Sequence, residues 1–291
     1  MRLNQVKCIT DQIILLIIMV FLKKISDFLH RTISPVPENL IRLSWDTWRY
    51  NFGDILNPVI TKAFSSKPIK RISSRQFGQY EHYFVIGSIL QRCTENTIVW
   101  GSGFISDDVS CRQAPKRIHA VRGPLTRAKL VAQGIECPEV YGDPALLLPA
   151  IYIPKVPDKK FKLGIVPHYK DKYCTWLNKN QQAEIKIIDV QNKDPLKVVD
   201  EIISCEKIIS SSLHGLIVAD AYGIPAIWTK FSEKVLGDGF KFRDYFSSVG
   251  RNDKSPLEIN ETTSIEMILN NFYTYKIEFD SEKLIRNCPF S

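Results

Sequence analysis

The 291-residue chain has no Cys-x-x-Cys pair and no cysteine–histidine grouping at zinc-site spacing, so no metal site is expected. Its seven cysteines are scattered and odd in number, which reads as reduced thiols in a cytosolic protein. There is no Lys/Arg-rich block and no basic stripe interleaved with aromatics, and nucleic acid is therefore not an expected partner. Internal repeats, low-complexity tracts and the dinucleotide fingerprint G-x-G-x-x-G are also missing. No apolar run reaches the roughly 20 residues that a membrane-spanning helix needs. IILLIIMVFL (13–22) stops at Lys23-Lys24, is preceded by Thr10-Asp11-Gln12, and has no small-residue cleavage site behind it.

What is present is ordinary globular composition, 44% apolar and 24% charged. Lys plus Arg outnumber Asp plus Glu by 39 to 31, a formal net charge of +8. That balance favours anionic partners such as phosphorylated small molecules or acidic lipid surfaces. Residues 13–22 are either a buried core element or a shallow anchor, with Lys23, Lys24 and Arg31 facing anionic headgroups. The basic flank favours the anchor, which would place the protein in the cytoplasm, peripheral at the inner face of the membrane.

From residue 39 onward, apolar strands alternate with helical stretches. Runs such as YFVIGS (83–88) and TIVWGSG (97–103) are continuously apolar and end in Gly or Ser, as in parallel strands covered on both faces. RIHAV (117–121) leads to a helix with Pro124 in its first turn and Gly134 at its end. After the proline-bearing segment 150–160 the alternation resumes with FKLGIVPHY, EIKIIDV, KIIS and PAIWT as strands. The expected fold is α/β, with an N-terminal segment 1–38 and two Rossmann-like, doubly wound domains over 39–150 and 151–291. In such sheets ligands bind beyond the carboxyl ends of the strands.

Polar corners fall at those ends. Asp54 in NFGD is either a helix cap for a helix beginning at Ile55 or a base, and capping is the commoner use of such an aspartate. Gly101 and Ser102 in GSGF allow close backbone approach to a ligand, but also serve ordinary turns. Arg122, directly after a strand, could hold a carboxylate or phosphate in a two-pronged grip, or lie exposed on a loop. Asp143 before Pro144 reads first as a turn former. SSSLHG places Ser211, Ser212, Leu213, His214 and Gly215 at a strand-to-helix corner, where unpaired amides and the helix dipole favour an anion. A lone histidine there is also commonly structural.

Taken in order, N-F-G-D, W-G-S-G-F, V-R-G-P-L-T, Y-G-D-P-A, S-L-H-G with A-Y-G-I-P, and F-S-E-K-V resemble the polysaccharide pyruvyl transferase family over about residues 48–236. The resemblance implies two domains facing across a cleft, as in B-type glycosyltransferases. It implies transfer of the pyruvyl group of phosphoenolpyruvate onto two sugar hydroxyls as a cyclic ketal, with no cofactor. Arg122, His214 and Lys234 match the family's essential arginine, histidine and lysine. Ser212 departs from the usual arginine before Leu-His-Gly, so that arginine's anion contact is either lost or supplied elsewhere, with His168, Lys230 and Arg243 as the candidates. On this basis Arg122, Ser211 to Gly215, Lys234 and His168 are expected on the donor side. Asn51, Asp54, Gly101, Ser102 and Asp143 are expected on the acceptor side, with His214, Arg122 and Asp54 catalytic. The acceptor is expected to be a sugar on a lipid diphosphate. The competing readings are a nucleotide-sugar glycosyltransferase, using Glu233, and a non-catalytic relative in polysaccharide assembly.

Overall fold

A computed structural model describes residues 39–47, 50–154 and 159–290. The apolar segment 13–22 lies outside them, as do residues 155–158 of the expected linker. Residues from Leu40 onward form one compact unit.

Two five-stranded parallel sheets organise it. The first contains β1 (Ile41–Leu43), β2 (Ile69–Arg71), β3 (His82–Phe84), β4 (Thr97–Trp100) and β5 (Arg117–Ala120), in the order β2-β1-β3-β4-β5. The second contains β6 (Phe161–Val166), β7 (Ile185–Ile187), β8 (Cys205–Ser210), β9 (Ala226–Lys230) and β10 (Leu257–Glu258), in the order β7-β6-β8-β9-β10. Counted from its own first strand, each sheet therefore runs 2-1-3-4-5. That order reverses direction between its first and third strands, and the reversal opens a crevice at the carboxyl ends. Strand β4 (Thr97–Trp100) is buried at every position, which is why it reads as an unbroken apolar run. Two Rossmann-like halves of α/β type are thus present.

Helix α1 (Phe52–Ala63) follows β1 and carries a proline within it, Pro58. Proline has no N–H to give the carbonyl four residues back, that of Asp54. The Asn57 side chain takes its place, donating to Asp54 O at 3.0 Å. Asn57 also donates to Ile86 O at 3.1 Å and accepts from Ile86 N at 2.9 Å, so α1 is latched to the chain leaving β3. At its other end, Phe52 N donates to Val190 O at 2.8 Å, joining the start of α1 to the second half.

A buried ion pair makes the second connection. Arg122 leaves β5 just before α2 (Pro124–Ala132), and its Nε donates to Asp244 Oδ2 at 2.9 Å. Asp244 lies on α7 (Phe240–Ser248) and also accepts from Thr126 N at 2.8 Å and Thr126 Oγ1 at 2.7 Å. Both charged side chains are almost wholly buried, 1% and 0% exposed. After α3 (Leu148–Ile151), α4 (Thr175–Lys179) and α5 (Pro195–Ile203), helix α6 (Leu213–Ala221) follows β8 and is apolar on nearly every side because protein covers it all round. Its far end is tied down by Asp220, which accepts from Arg251 at 2.8 Å and from Tyr245 at 2.7 Å. The helix packs against the 3-10 turn Pro144–Leu147, which brings the first half onto the second.

Removing one partner of a buried pair leaves a bare charge in a low dielectric. Asp244→Asn is therefore expected to cost about 3–5 kcal/mol of unfolding free energy in urea. A shift no larger than that of a surface substitution would show that the halves are held together by something else.

Candidate functional site

Three of the sequence corners meet at the first turn of α6. His214 is in that turn, 7% exposed, with Ser212 as the N-cap residue. Its ring lies close against the start of α1: a Cβ placed on Gly53 would stand 2.0 Å from His214 Nδ1. Only glycine leaves room for the imidazole there. His214 Nε2 faces Asp143 Oδ2 at 3.4 Å, within electrostatic reach but without a well-formed hydrogen bond. The other carboxylate oxygen of Asp143 accepts from Ala145 N at 3.0 Å, which fixes the turn and aims Oδ2 at the ring.

Asp54 completes the group. The helix starts at Phe52, not Ile55, so Asp54 lies inside the first turn and Asn51 takes the N-cap position. The capping expectation for Asp54 is corrected accordingly. Its carboxylate accepts from Asn51 Nδ2 at 2.9 Å and from Asp46 N at 3.3 Å. Burial pushes its carboxyl above the usual range, while those hydrogen bonds and the nearby His214 oppose the shift. A carboxyl raised toward neutrality, beside an imidazole and a second carboxylate, is a set able to move protons.

A second group lies behind the first. Ser211 Oγ donates to Asp171 Oδ2 at 2.7 Å and accepts from His168 N at 2.9 Å. Ser232 also donates to Asp171. His168 Nδ1 accepts from Lys170 N at 3.3 Å, so His168 shapes the loop after β6. Ser210 Oγ donates to Ser212 O at 2.7 Å and accepts from Ser212 N at 3.0 Å, ordering the approach to α6. Leu213 is buried against the core, and Gly215 N donates to Ser212 O at 3.1 Å.

Arg122 is not an exposed loop residue. Besides Asp244, it donates to Ser88 Oγ at 2.7 Å and to Phe104 O at 2.6 Å. The glycines of GSGF have a structural tenant, since a Cβ on Gly103 would stand 2.6 Å from the Arg122 guanidinium carbon. Gly101 N donates to Ala120 O at 2.9 Å, and Ser102 O accepts from Arg122 N at 3.1 Å. The Ser102 hydroxyl is buried without a partner among the described residues.

Other expected residues lie apart. Lys234 is exposed, and its backbone N donates to Ser232 Oγ at 3.2 Å. Lys230 is taken up by Glu233 at 2.6 Å and Glu258 at 3.4 Å. Arg243 lines a cavity of about 220 Å³ beyond the ends of β8, β9 and β10, with Ser211, Trp228, Lys230 and Lys254 among its other walls. Lys241 went unnoticed in the sequence. It is one turn ahead of Asp244 on α7 and 9% exposed, and neither apolar periodicity nor any motif singled it out.

The family model for polysaccharide pyruvyl transferases matches residues 45–230. The chain belongs to the polysaccharide pyruvyl transferase family. It is 32% identical over 206 residues to an uncharacterized protein of Acanthamoeba polyphaga mimivirus, covering 69% of this chain and 71% of that protein. It is 25% identical over 254 residues to the succinoglycan biosynthesis protein ExoV of Rhizobium meliloti (strain 1021), covering 82% of this chain and 74% of ExoV. These likenesses support a pyruvyltransferase role in polysaccharide biosynthesis.

The contact between His214 and Gly53 gives a direct test. Gly53→Ala overpacks the ring and should cost about 1–3 kcal/mol of stability. In a His214→Ala background the same substitution should cost little, as read from a double-mutant cycle in urea. Equal costs in both backgrounds would contradict the contact.

Proposed function

We propose that this member of the family transfers the pyruvyl group of phosphoenolpyruvate onto two hydroxyls of a sugar in a bacterial surface-polysaccharide precursor, forming a cyclic ketal and releasing phosphate. The observation that carries this reading is the convergence of Asp54, His214 and Asp143 at the start of α6, whose N-cap residue Ser212 makes no side-chain capping bond.

The residues suit the chemistry. One acceptor hydroxyl adds to C2 of phosphoenolpyruvate as its C3 methylene takes a proton and becomes a methyl group. The C2–O bond to phosphate then breaks, phosphate leaves with the electron pair, and the second hydroxyl bonds to the electron-poor C2 and closes the ring. Two hydroxyl protons are lost along the way, one replaced at C3 and one carried off by phosphate or base. Asp54, with its raised carboxyl, is the base for the acceptor hydroxyl. His214 delivers the proton or steadies the phosphate, and Asp143 holds the imidazole in place. First-turn amides of α6 supply further donors to the anion. A nucleotide-sugar transferase would want Glu233 in the site, but Glu233 is paired with Lys230 and 86% exposed.

The acceptor is proposed to be a sugar on a lipid diphosphate, met at the inner face of the membrane, which the excess of positive charge favours. No described helix is long and apolar enough to cross a membrane.

Incubation with phosphoenolpyruvate and a pool of lipid-linked oligosaccharides should release phosphate and add the mass of one pyruvyl ketal. His214→Ala and Asp54→Asn should each lower turnover by about 10²–10⁴-fold. Phosphate release unaffected by either substitution would overturn the assignment. Asp54 acts as a base only when ionised, so turnover should fall as pH drops through its raised carboxyl, above the ordinary aspartate value of about 3.9. An acid limb centred at the ordinary value would show that another group carries the step.

A further inference from the structure

At the end of β9, two neighbouring residues are buried with polar atoms left over. Trp228 is 5% exposed and Thr229 wholly covered. Among the described residues the Thr229 hydroxyl has no partner, and the Trp228 indole N–H meets no acceptor. Buried tryptophans ordinarily find one. Trp100 donates to Leu284 O at 3.1 Å, and Trp176 to Thr263 O at 2.8 Å. Both Trp228 and Thr229 wall the cavity of about 220 Å³ beyond β8, β9 and β10. Arg243 of α7 walls it too, half-buried, and its guanidinium makes no hydrogen bond or ion pair among the described residues. The cavity is built around these side chains. Phe242 stacks on Trp228, with ring centres 4.7 Å apart and planes 15° from parallel. Gly239 has a φ of +72°, and a Cβ there would stand 2.6 Å from the indole and 2.7 Å from Arg243 Nη1. Two residues earlier, a Cβ on Gly237 would stand 2.0 Å from Ile105 O, so this loop is seated tightly on the chain beyond β4.

Size and charge narrow the ligand. Drug-sized molecules occupy pockets of about 300–1,000 Å³, so this smaller one suits a single ring rather than a nucleotide sugar. Lys230, Arg243 and Lys254 are balanced around it by Glu233, Asp238 and Glu258, so a dianion gains no net attraction. A neutral polyol instead needs donors and acceptors together, with an aromatic wall for its C–H face. Asp54, His214 and Asp143 are not among the walls, so the group held here is not the one that reacts. Ser211 is a wall and stands three positions before His214, which limits their separation to about 11 Å. We propose that the cavity is a sugar subsite, holding one pyranose of the acceptor beside the unit that is ketalised. Arg243 forks onto two of its hydroxyls, and the Trp228 N–H donates to another oxygen. The acceptor therefore carries at least two sugar units. Its being the acceptor rests on the pyruvyl transfer reading; the fit of a sugar rests on the cavity.

The test titrates wild type, Arg243→Ala and Trp228→Phe by calorimetry with the methyl glycosides of glucose, galactose, mannose and N-acetylglucosamine, and separately with inorganic phosphate. At least one glycoside should bind wild type. Arg243→Ala should weaken it about tenfold or more, and Trp228→Phe, which keeps the ring and loses the N–H, about threefold or more. Phosphate should bind Arg243→Ala no differently from wild type. Without ligand, Thr229→Val should melt no lower than wild type, because it removes an unsatisfied hydroxyl. A clear drop would show that hydroxyl satisfied within the fold and take Thr229 out of the site. No glycoside binding, or binding equal in wild type and both variants, would overturn the subsite. The pyruvyl reading would then stand if wild type still released phosphate from phosphoenolpyruvate with lipid-linked oligosaccharides. Phosphate binding that Arg243→Ala abolishes would make the cavity an anion site and overturn the sugar. Wild type that binds a glycoside through Arg243 but releases no phosphate from phosphoenolpyruvate would keep the sugar subsite and overturn the pyruvyl reading.

Discussion

A guanidinium buried to 1% exposure must be neutralised where it stands, and Arg122 is neutralised from the other half of the chain. Asp244 meets it from α7, and the same carboxylate caps the start of α2 through Thr126. One pair therefore ties the end of β5, the start of α2 and the first turns of α7 to one another. With α1 held to Val190 and Ile86, the carboxyl edges of the two sheets are brought together. The site depends on that closure, since Asp54 and Asp143 belong to one half and His214 to the other.

The alternation of strands and helices was legible because central parallel strands are covered on both faces and so read as apolar runs ending in glycine or serine. Two of the four edge strands, β2 and β10, were not. Ile69–Arg71 is short, with two of its three residues charged, and Leu257–Glu258 has two residues, so neither shows a periodicity. Helix α7 was equally hidden. It buries Lys241 and Asp244 for reasons of charge rather than hydrophobicity, and no apolar pattern announces that. The pairing of Arg122 with Asp244 joins residues 122 positions apart and is visible only once the chain is folded.

The same contrast runs through the site. His214, Asp54 and Asp143 were marked by their places at strand ends, and folding brings them together. The glycines of GSGF suit either close approach to a ligand or an ordinary turn, and no pattern marks Gly53. In the structure Gly53 makes room for His214, and Gly103 for Arg122. Lys234, matched by resemblance, is exposed, while Lys241 is buried.

The central claim is that Asp54 and His214, from opposite halves, work as one proton-moving unit. A double-mutant cycle on kcat/KM for acceptor-dependent phosphate release tests it most directly. If they act together, Asp54→Asn combined with His214→Ala loses about as much activity as the worse single variant. If instead the two losses multiply, the residues act independently and the account of the site is wrong.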